Sequence, residues 1–328
     1  MLKPKVFVTR RIFPEALDMI ASKTRMELWE DELPPPKEIL LEKMKDCHGI
    51  LSLLTDELDT EFFKTAEHLR VVSQIAVGYD NIDIVEATRR LIPVGHTPHV
   101  LNAATADMAF LLMMAAGRRL LESRMFVKEG RWKTWHPMHF LGPNVYGATL
   151  GIVGMGRIGL EMARRARGFD MKVLYTDPNR RSPEDEREFK LKYRNLDELL
   201  SKSDFISLHV NLTPKTHHLI SKREFHMMKT TAVLVNAARG LIVDHDALYD
   251  SLKKREIFAA GLDVTDPEPL PKDHPLLSLD NCIVVPHIAS ASFSSRLDMS
   301  LLAAQNLLAG LDGKPLPNCA NPEVYGIR

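Results

Sequence analysis

Three polar residues in the second half of the chain each stand just past an apolar run. Arg239 follows residues 232–236, Glu268 lies between Pro267 and Pro269 after residues 259–264, and His287 follows residues 282–285. Together these side-chain types could reduce a ketone, which needs hydride at carbon and a proton at oxygen. Histidine, with an unperturbed pKa of ~6.5, can give that proton near neutrality. A carboxylate beside the ring favours the imidazolium and fixes its orientation, and Glu268 is the candidate. The planar fork of Arg239 suits the carboxylate of a 2-oxo acid. Taken singly, each residue also has a plainer reading: Glu268 as a solvated loop acid, His287 as a hydrogen-bonded histidine behind a site, Arg239 as a cap on strand-end carbonyls. Their shared placement past strand ends favours the chemical reading, because ligands of open α/β sheets bind there.

Residues 148–177, ATLGIVGMGRIGLEMARRARGFDMKVLYTD, offer a place for the hydride carrier. Leu150, Ile152 and Val153 read as a buried strand. Gly154, Gly156 and Gly159 follow in G-x-G-x-x-G spacing, and a helix is expected over residues 157–167. Gly154 permits a tight turn, Gly156 lets the backbone approach a pyrophosphate, and Gly159 lets helix and strand pack closely. The helix N-terminus presents N–H groups and a positive dipole end to phosphate. A second apolar run, residues 173–175, leads to Asp177, 18 residues after the last glycine, where a carboxylate could accept from ribose hydroxyls. Glycines in this spacing also mark ordinary packing turns. Strand, glycines, helix, strand and acid in this order point instead to a dinucleotide.

The elements that must position these residues follow from length and patterning. A chain of 328 residues suggests two domains, each with its own core. Lys+Arg and Asp+Glu both number 43, and this neutral balance argues against a nucleic-acid or anionic-membrane partner. The start, MLKPKVFVTRR, reads as a strand and lacks the apolar core of a signal peptide. No apolar run reaches the ~18 residues of a membrane span. Cys47, Cys282 and Cys319 are sparse and lack metal spacing, which suits a reducing cytoplasm.

Up to about residue 97, strands at residues 6–8, 49–54, 71–76 and 92–94 alternate with helices at 14–22 and 39–45. Such alternation implies a parallel sheet. No glycine fingerprint occurs here, so this part holds something other than the dinucleotide. Residues 102–121 read as one long apolar helix at a domain boundary, with Met108, Met113 and Met114 in the core. Residues 130–146, GRWKTWHPMHFLGPNVY, have no helical or strand period. This aromatic stretch is either a loop packed on its own domain or an arm docking a partner subunit. His136 and His139 lack further ligands nearby, so no metal is expected. After residue 177, strands at 205–210, 232–236, 259–264 and 282–285 alternate with helices at 196–202 and 246–253. An Ala-rich helix over residues 297–311 could return to the first domain.

With these motifs in order, the chain resembles the D-2-hydroxyacid dehydrogenase family and, within it, is similar to the glyoxylate/hydroxypyruvate reductases. The resemblance rests on VGYDNID (residues 77–83), GIVGMGRIG (151–159), NAARG (236–240), GLDVTDPEPLP (261–271) and PHIASAS (286–292). It implies an α/β fold of two Rossmann- or flavodoxin-like domains with parallel sheets and an active site in the cleft between them. The expected substrate domain is residues 1–98 and 291–328; the NAD(P)-binding domain is 99–290. The implied reaction reduces a small 2-oxo acid, glyoxylate or hydroxypyruvate, to the D-2-hydroxy acid with NAD(P)H.

By the same resemblance Arg239, Glu268 and His287 are catalytic, with Glu268 tuning His287 as proton donor. Val77, Gly78, Arg239, His287 and Ser290 bind substrate. Thr105, Gly154, Gly156, Arg157, Ile158, Gly159, Asp177, Asn211, Ala237, Asp263 and Ala289 contact the cofactor, NAD or, as the alternative, NADP. A cytoplasmic homodimer formed through the cofactor domain is implied, with residues 130–146 in the contact. Formate dehydrogenases carry glutamine where Glu268 stands, and several NADPH-preferring reductases lack an acid at the Asp177 position. Arg180 and Arg181 beside Asp177 leave the cofactor preference open. A different D-2-hydroxy acid, or an NAD(H)-sensing corepressor-like module of the same fold, is the alternative.

Overall fold

The structure, a computed structural model, describes residues 3–326. Positions 1, 2, 327 and 328, which the expected first domain includes, lie outside the described residues. The chain divides into two compact units: Met1–Leu101 with Ala291–Arg328, and Asn102–Ser290. The second unit begins where a helix begins, so residues 99–101 stay with the first.

The first unit opens with β1 (Lys5–Val8), α1 (Pro14–Lys23), β2 (Arg25–Leu28), α2 (Lys37–Met44) and β3 (Gly49–Ser52). It continues through α3 (Thr60–Thr65), β4 (Val71–Gln74), α4 (Ile84–Arg89) and β5 (Val94–Gly95). The second unit opens with α5 (Asn102–Gly117), α6 (Leu120–Lys128), β6 (Thr149–Val153), α7 (Arg157–Arg167), β7 (Lys172–Thr176), α8 (Pro183–Glu188) and β8 (Leu191–Tyr193). There follow α9 (Leu196–Lys202), β9 (Phe205–Leu208), α10 (Lys222–Met227), β10 (Val233–Asn236), α11 (His245–Lys253), β11 (Ala259–Leu262) and β12 (Cys282–Val284). Finally α12 (Phe293–Leu311) returns to the first unit.

Both sheets are parallel. The first has the order β2-β1-β3-β4-β5, the second β12-β11-β10-β9-β6-β7-β8. Central strands such as β3, β4 and β9 are buried at every residue, as a parallel sheet covered on both faces requires. The order reverses between β1 and β3 in one sheet and between β6 and β9 in the other. Such a switch point leaves a crevice beyond the strand ends. In the first unit α12 lies tight on the sheet. Ser73 Oγ donates to Ala303 O at 2.8 Å, and a Cβ on Gly95 would come within 2.7 Å of Asn306 Cβ.

Several strands end two residues before their expected limits and α12 starts at Phe293, and two further departures have a clear cause. The strand expected over residues 92–94 is only Val94–Gly95. The Ile92 N–H is taken by Ala87 O at the end of α4, and Pro93 has no N–H. The helix expected over residues 102–121 stops at Gly117, because Arg119 takes a left-handed φ of +52° and α6 starts afresh at Leu120. The register change is visible in burial: α5 carries a buried face, α6 has no buried residue. No helix among the described residues is long and apolar enough to cross a membrane.

Candidate active site

The glycine turn is built as its spacing requires. Gly154 has φ +94°, and a Cβ there would lie 2.7 Å from the His209 carbonyl carbon. A Cβ on Gly159 would overlap the Gly154 carbonyl oxygen, so the third glycine lets α7 sit directly on the turn. Gly156, the N-cap of α7, has open space on its Cβ side, and no side chain caps the helix. The first helical N–H groups, on Arg157, Ile158 and Gly159, therefore have no intrahelical acceptor. A bare backbone with free N–H groups at a positive dipole end fits a pyrophosphate. Behind the turn the His209 ring is buried, which pushes its pKa down to about 4, so it is neutral at physiological pH.

Asp177, just past β7, has both carboxylate oxygens engaged: Oδ2 accepts from Met155 N and Oδ1 from Asn179 N, each at 2.8 Å. It thus ties the glycine turn to the end of β7. The neighbouring arginines are also committed. Arg180 makes a two-pronged ion pair with Glu186 at 2.8 and 2.9 Å, and Arg181 Nε donates to Met155 O at 2.8 Å.

Arg239, Glu268 and His287 come from the turns after β10, β11 and β12, three neighbouring strands. His287 Nδ1 lies 2.6 Å from Glu268 Oε1, with both side chains partly open to solvent. Burial pushes the Glu268 carboxyl up, but the hydrogen bond and charge of His287, the Thr265 N–H and Arg239 outweigh it and hold it below the usual carboxylate range. Glu268 is therefore an anion at neutral pH. It accepts from Nδ1, so the other ring nitrogen of His287, Nε2, is the one free for chemistry.

Asn236 of the NAARG motif and Asp263, expected as a cofactor contact, hold this arrangement. Asn236 is fully buried; its Nδ2 donates to Arg239 O at 2.7 Å and its Oδ1 accepts from Ala238 N at 3.1 Å, which shapes the turn bearing Arg239. A Cβ on Gly240 would overlap the Thr265 carbonyl, so the Arg239 turn packs directly on the Glu268 loop. Asp263 is buried, and its carboxylate accepts from Ile288 N at 2.7 Å and Ala289 N at 3.0 Å. That clamp fixes the segment after His287, whose own φ is +51°. A left-handed non-glycine residue is uncommon and is held only where its surroundings demand it. Buried polar pairs were the available signal: an asparagine or aspartate closing an apolar strand.

The remaining expected contacts are distributed over both units. Thr105 is buried in α5, Ala237 and Ala289 are buried past β10 and β12, Asn211 is exposed past β9, and Ser290 closes the unit. Val77 and Gly78 lie in the first unit, in the turn after β4.

Comparison with known proteins agrees with this geometry. The family model described as "D-isomer specific 2-hydroxyacid dehydrogenase, NAD binding domain" matches residues 110–289. A glyoxylate reductase of Korarchaeum cryptofilum is 52% identical over all of this chain and 98% of its own length. One from Thermococcus gammatolerans is 47% identical, again over 100% of this chain and 98% of the relative. Among solved structures, the TT0316 protein of Thermus thermophilus is 41% identical with a TM-score of 0.90, covering 96% of this chain and 99% of that one. The chain belongs to the D-isomer specific 2-hydroxyacid dehydrogenase family, and is an NAD(P)-dependent oxidoreductase that interconverts a 2-oxo acid and its 2-hydroxy acid.

Proposed function

We propose that this enzyme reduces glyoxylate and hydroxypyruvate to the D-2-hydroxy acids, with NADH preferred over NADPH. The observation that carries the mechanism is the His287–Glu268 pair at 2.6 Å, set one strand from Arg239. Glu268 holds Nδ1, so Nε2–H gives its proton to the keto oxygen. Arg239, with N–H groups of Val77 and Gly78 and the hydroxyl of Ser290, binds the substrate carboxylate and carbonyl. Gly154, Gly156, Arg157, Ile158 and Gly159 would hold the cofactor pyrophosphate. Thr105, Asp177, Asn211, Ala237, Asp263 and Ala289 would line the rest of its path. When bound, the nicotinamide supplies the hydride.

The named relatives support a small substrate. Excluding one methylene is worth only ~1–3 kcal/mol, so partial activity on pyruvate is expected. Leu53, Leu54 and Thr55 past β3, or Trp135, would limit the C3 substituent. NADH preference is supported by the fixed charge of Asp177, which would repel a 2′-phosphate, while Arg180 is neutralised by Glu186. The test is a panel of 2-oxo acids against both reduced cofactors. Highest efficiency on glyoxylate and hydroxypyruvate with NADH is expected. Higher efficiency on phenylpyruvate, or a clear NADPH preference, refutes the corresponding part.

A homodimer is part of this reading. Trp132, Trp135, Met138, Leu141 and Tyr146 are exposed, and so are Leu120, Leu121, Met125 and Val127 of adjoining α6. Exposed large apolar side chains in this number on adjoining segments favour a protein contact. A dimeric mass by light scattering at micromolar concentration is expected; a monomer contradicts it. The free, scattered cysteines support a reducing compartment such as the cytoplasm.

A further inference from the structure

We propose that Gln74 and His96 are positioning residues for substrate binding: they hold the carbonyl side of the turn after β4 and so aim the N–H groups of Val77, Gly78 and Tyr79 at the substrate carboxylate. The inference rests on the role given above to Val77 and Gly78, and adds Tyr79 as a third donor.

The argument starts from peptide geometry. In a trans peptide the C=O and the following N–H point in opposite directions. Among the described residues the cis bonds are at Pro267 and Pro269, so the three peptides of this turn are trans. Each of their carbonyls is anchored. Ala76 O accepts from Thr97 N at 2.8 Å. Val77 O lies 3.0 Å from His96 Nδ1, and since a carbonyl only accepts, Nδ1 carries the proton. Gly78 O accepts from Gln74 Nε2 at 2.7 Å. The N–H groups of Val77, Gly78 and Tyr79 therefore face away from these anchors. Among the described residues none of the three has a protein acceptor. Successive unpartnered N–H groups of this kind form an anion-binding concavity.

The anchors are themselves fixed. Gln74 is fully buried and forms a reciprocal amide pair with Asn81, at 2.9 Å in both directions. Asn81 Nδ2 also donates to Asp56 O at 2.7 Å and reaches Leu53 O at 3.2 Å. This pairing decides which way each amide faces, because turning Gln74 over would set its oxygen against Gly78 O. The Tyr79 ring packs edge-on against the His96 ring, with centroids 5.7 Å apart. Without the anchors, a peptide could rotate and present its carbonyl oxygen, rather than its N–H, to an anionic substrate.

The experiment measures KM for glyoxylate, for its uncharged methyl ester and for NADH in Gln74→Met, His96→Ala and His96→Asn. Met fills the glutamine's space without a donor, and Asn can place an N–H where Nδ1 stood. The glyoxylate KM should rise roughly tenfold in Gln74→Met and His96→Ala, as for a mislaid donor to a charged group. The KM values for NADH and the ester should stay near wild type, and His96→Asn should recover most of the loss. An unchanged glyoxylate KM in both loss variants overturns the proposal. So does an equal rise for glyoxylate, ester and NADH, which is the mark of a merely structural role. If one loss variant fails to fold, the other carries the same test. A wild-type enzyme that consumes neither reduced cofactor with any 2-oxo acid would overturn the underlying reading, and this inference with it; an active wild type with unaffected variants overturns this inference alone.

Discussion

Past β6 the chain runs Gly154-Met155-Gly156 into α7, and past β1 it runs Thr9-Arg10-Arg11-Ile12-Phe13 into α1. Both turns occupy the first crossover of a parallel sheet, beside the strand-order reversal. In the second unit the turn is bare backbone: Gly154 has a positive φ, and nothing fills the Cβ side of Gly156. In the first unit the same place carries side chains. Thr9 Oγ1 is buried and donates to Asp56, and Arg10 reaches back to the Thr9 carbonyl. Pro14 opens α1, so that helix offers one N–H fewer at its start. The difference teaches that topology supplies a crevice and the turn residues decide what enters it. A phosphate needs glycines and a free helix end. The first unit instead leaves its N–H groups unpartnered in the turn after β4.

The comparison can be broken at three levels. The largest effect is expected where the second unit does chemistry. His287→Gln should lower turnover by ~10²–10⁴-fold, the usual worth of a general acid, while NADH binding measured by fluorescence stays intact. Near-normal turnover would remove the proton-donor role. An intermediate effect is expected at the turn itself. Gly156→Val places a side chain in space that is open in the fold, so melting temperature should barely move while NADH affinity falls by at least tenfold, or about 1.4 kcal/mol. Unchanged affinity would mean the pyrophosphate does not pass there.

The smallest effect is expected in the first unit. Burial pushes the Asp56 carboxyl above its usual range, against the opposing pull of Leu53 N–H, the Thr9 hydroxyl and Arg10. An acid with a raised folded pKa favours folding while protonated, and that contribution is lost as pH rises through the folded value. Asp56→Asn removes the buried charge. Its melting temperature relative to wild type should therefore be more favourable near pH 8 than near pH 4. The opposite trend would show that the carboxylate is the favoured form.

Much of the second unit was legible because its needs are local. The spacing of Gly154, Gly156 and Gly159 follows from one turn and one helix start, and α7 runs over Arg157–Arg167 as the pattern predicts. Of the edge strands, β12 was legible as an apolar run, but β2 was not. β2 reads RMEL, with Arg25 exposed and the rest half-buried, and four alternating residues are too few to stand out as a strand. The end of α5 was hidden for a related reason: Leu120 and Leu121 continue the apolar run past Arg119, and only their exposure separates them from α5.

What the sequence determined by itself was the α/β alternation, the glycine turn and the polar residues stationed past strand ends. Each is a property of a short stretch of backbone. Tertiary structure alone decided which of those residues meet. His287 and Glu268 are 19 positions apart, and their 2.6 Å contact exists because β11 and β12 are paired in register. Asp177 and Arg180, three positions apart in the chain, were diverted to Met155, Asn179 and Glu186. A hydrogen bond acts over about 3 Å, and only packing brings distant residues that close.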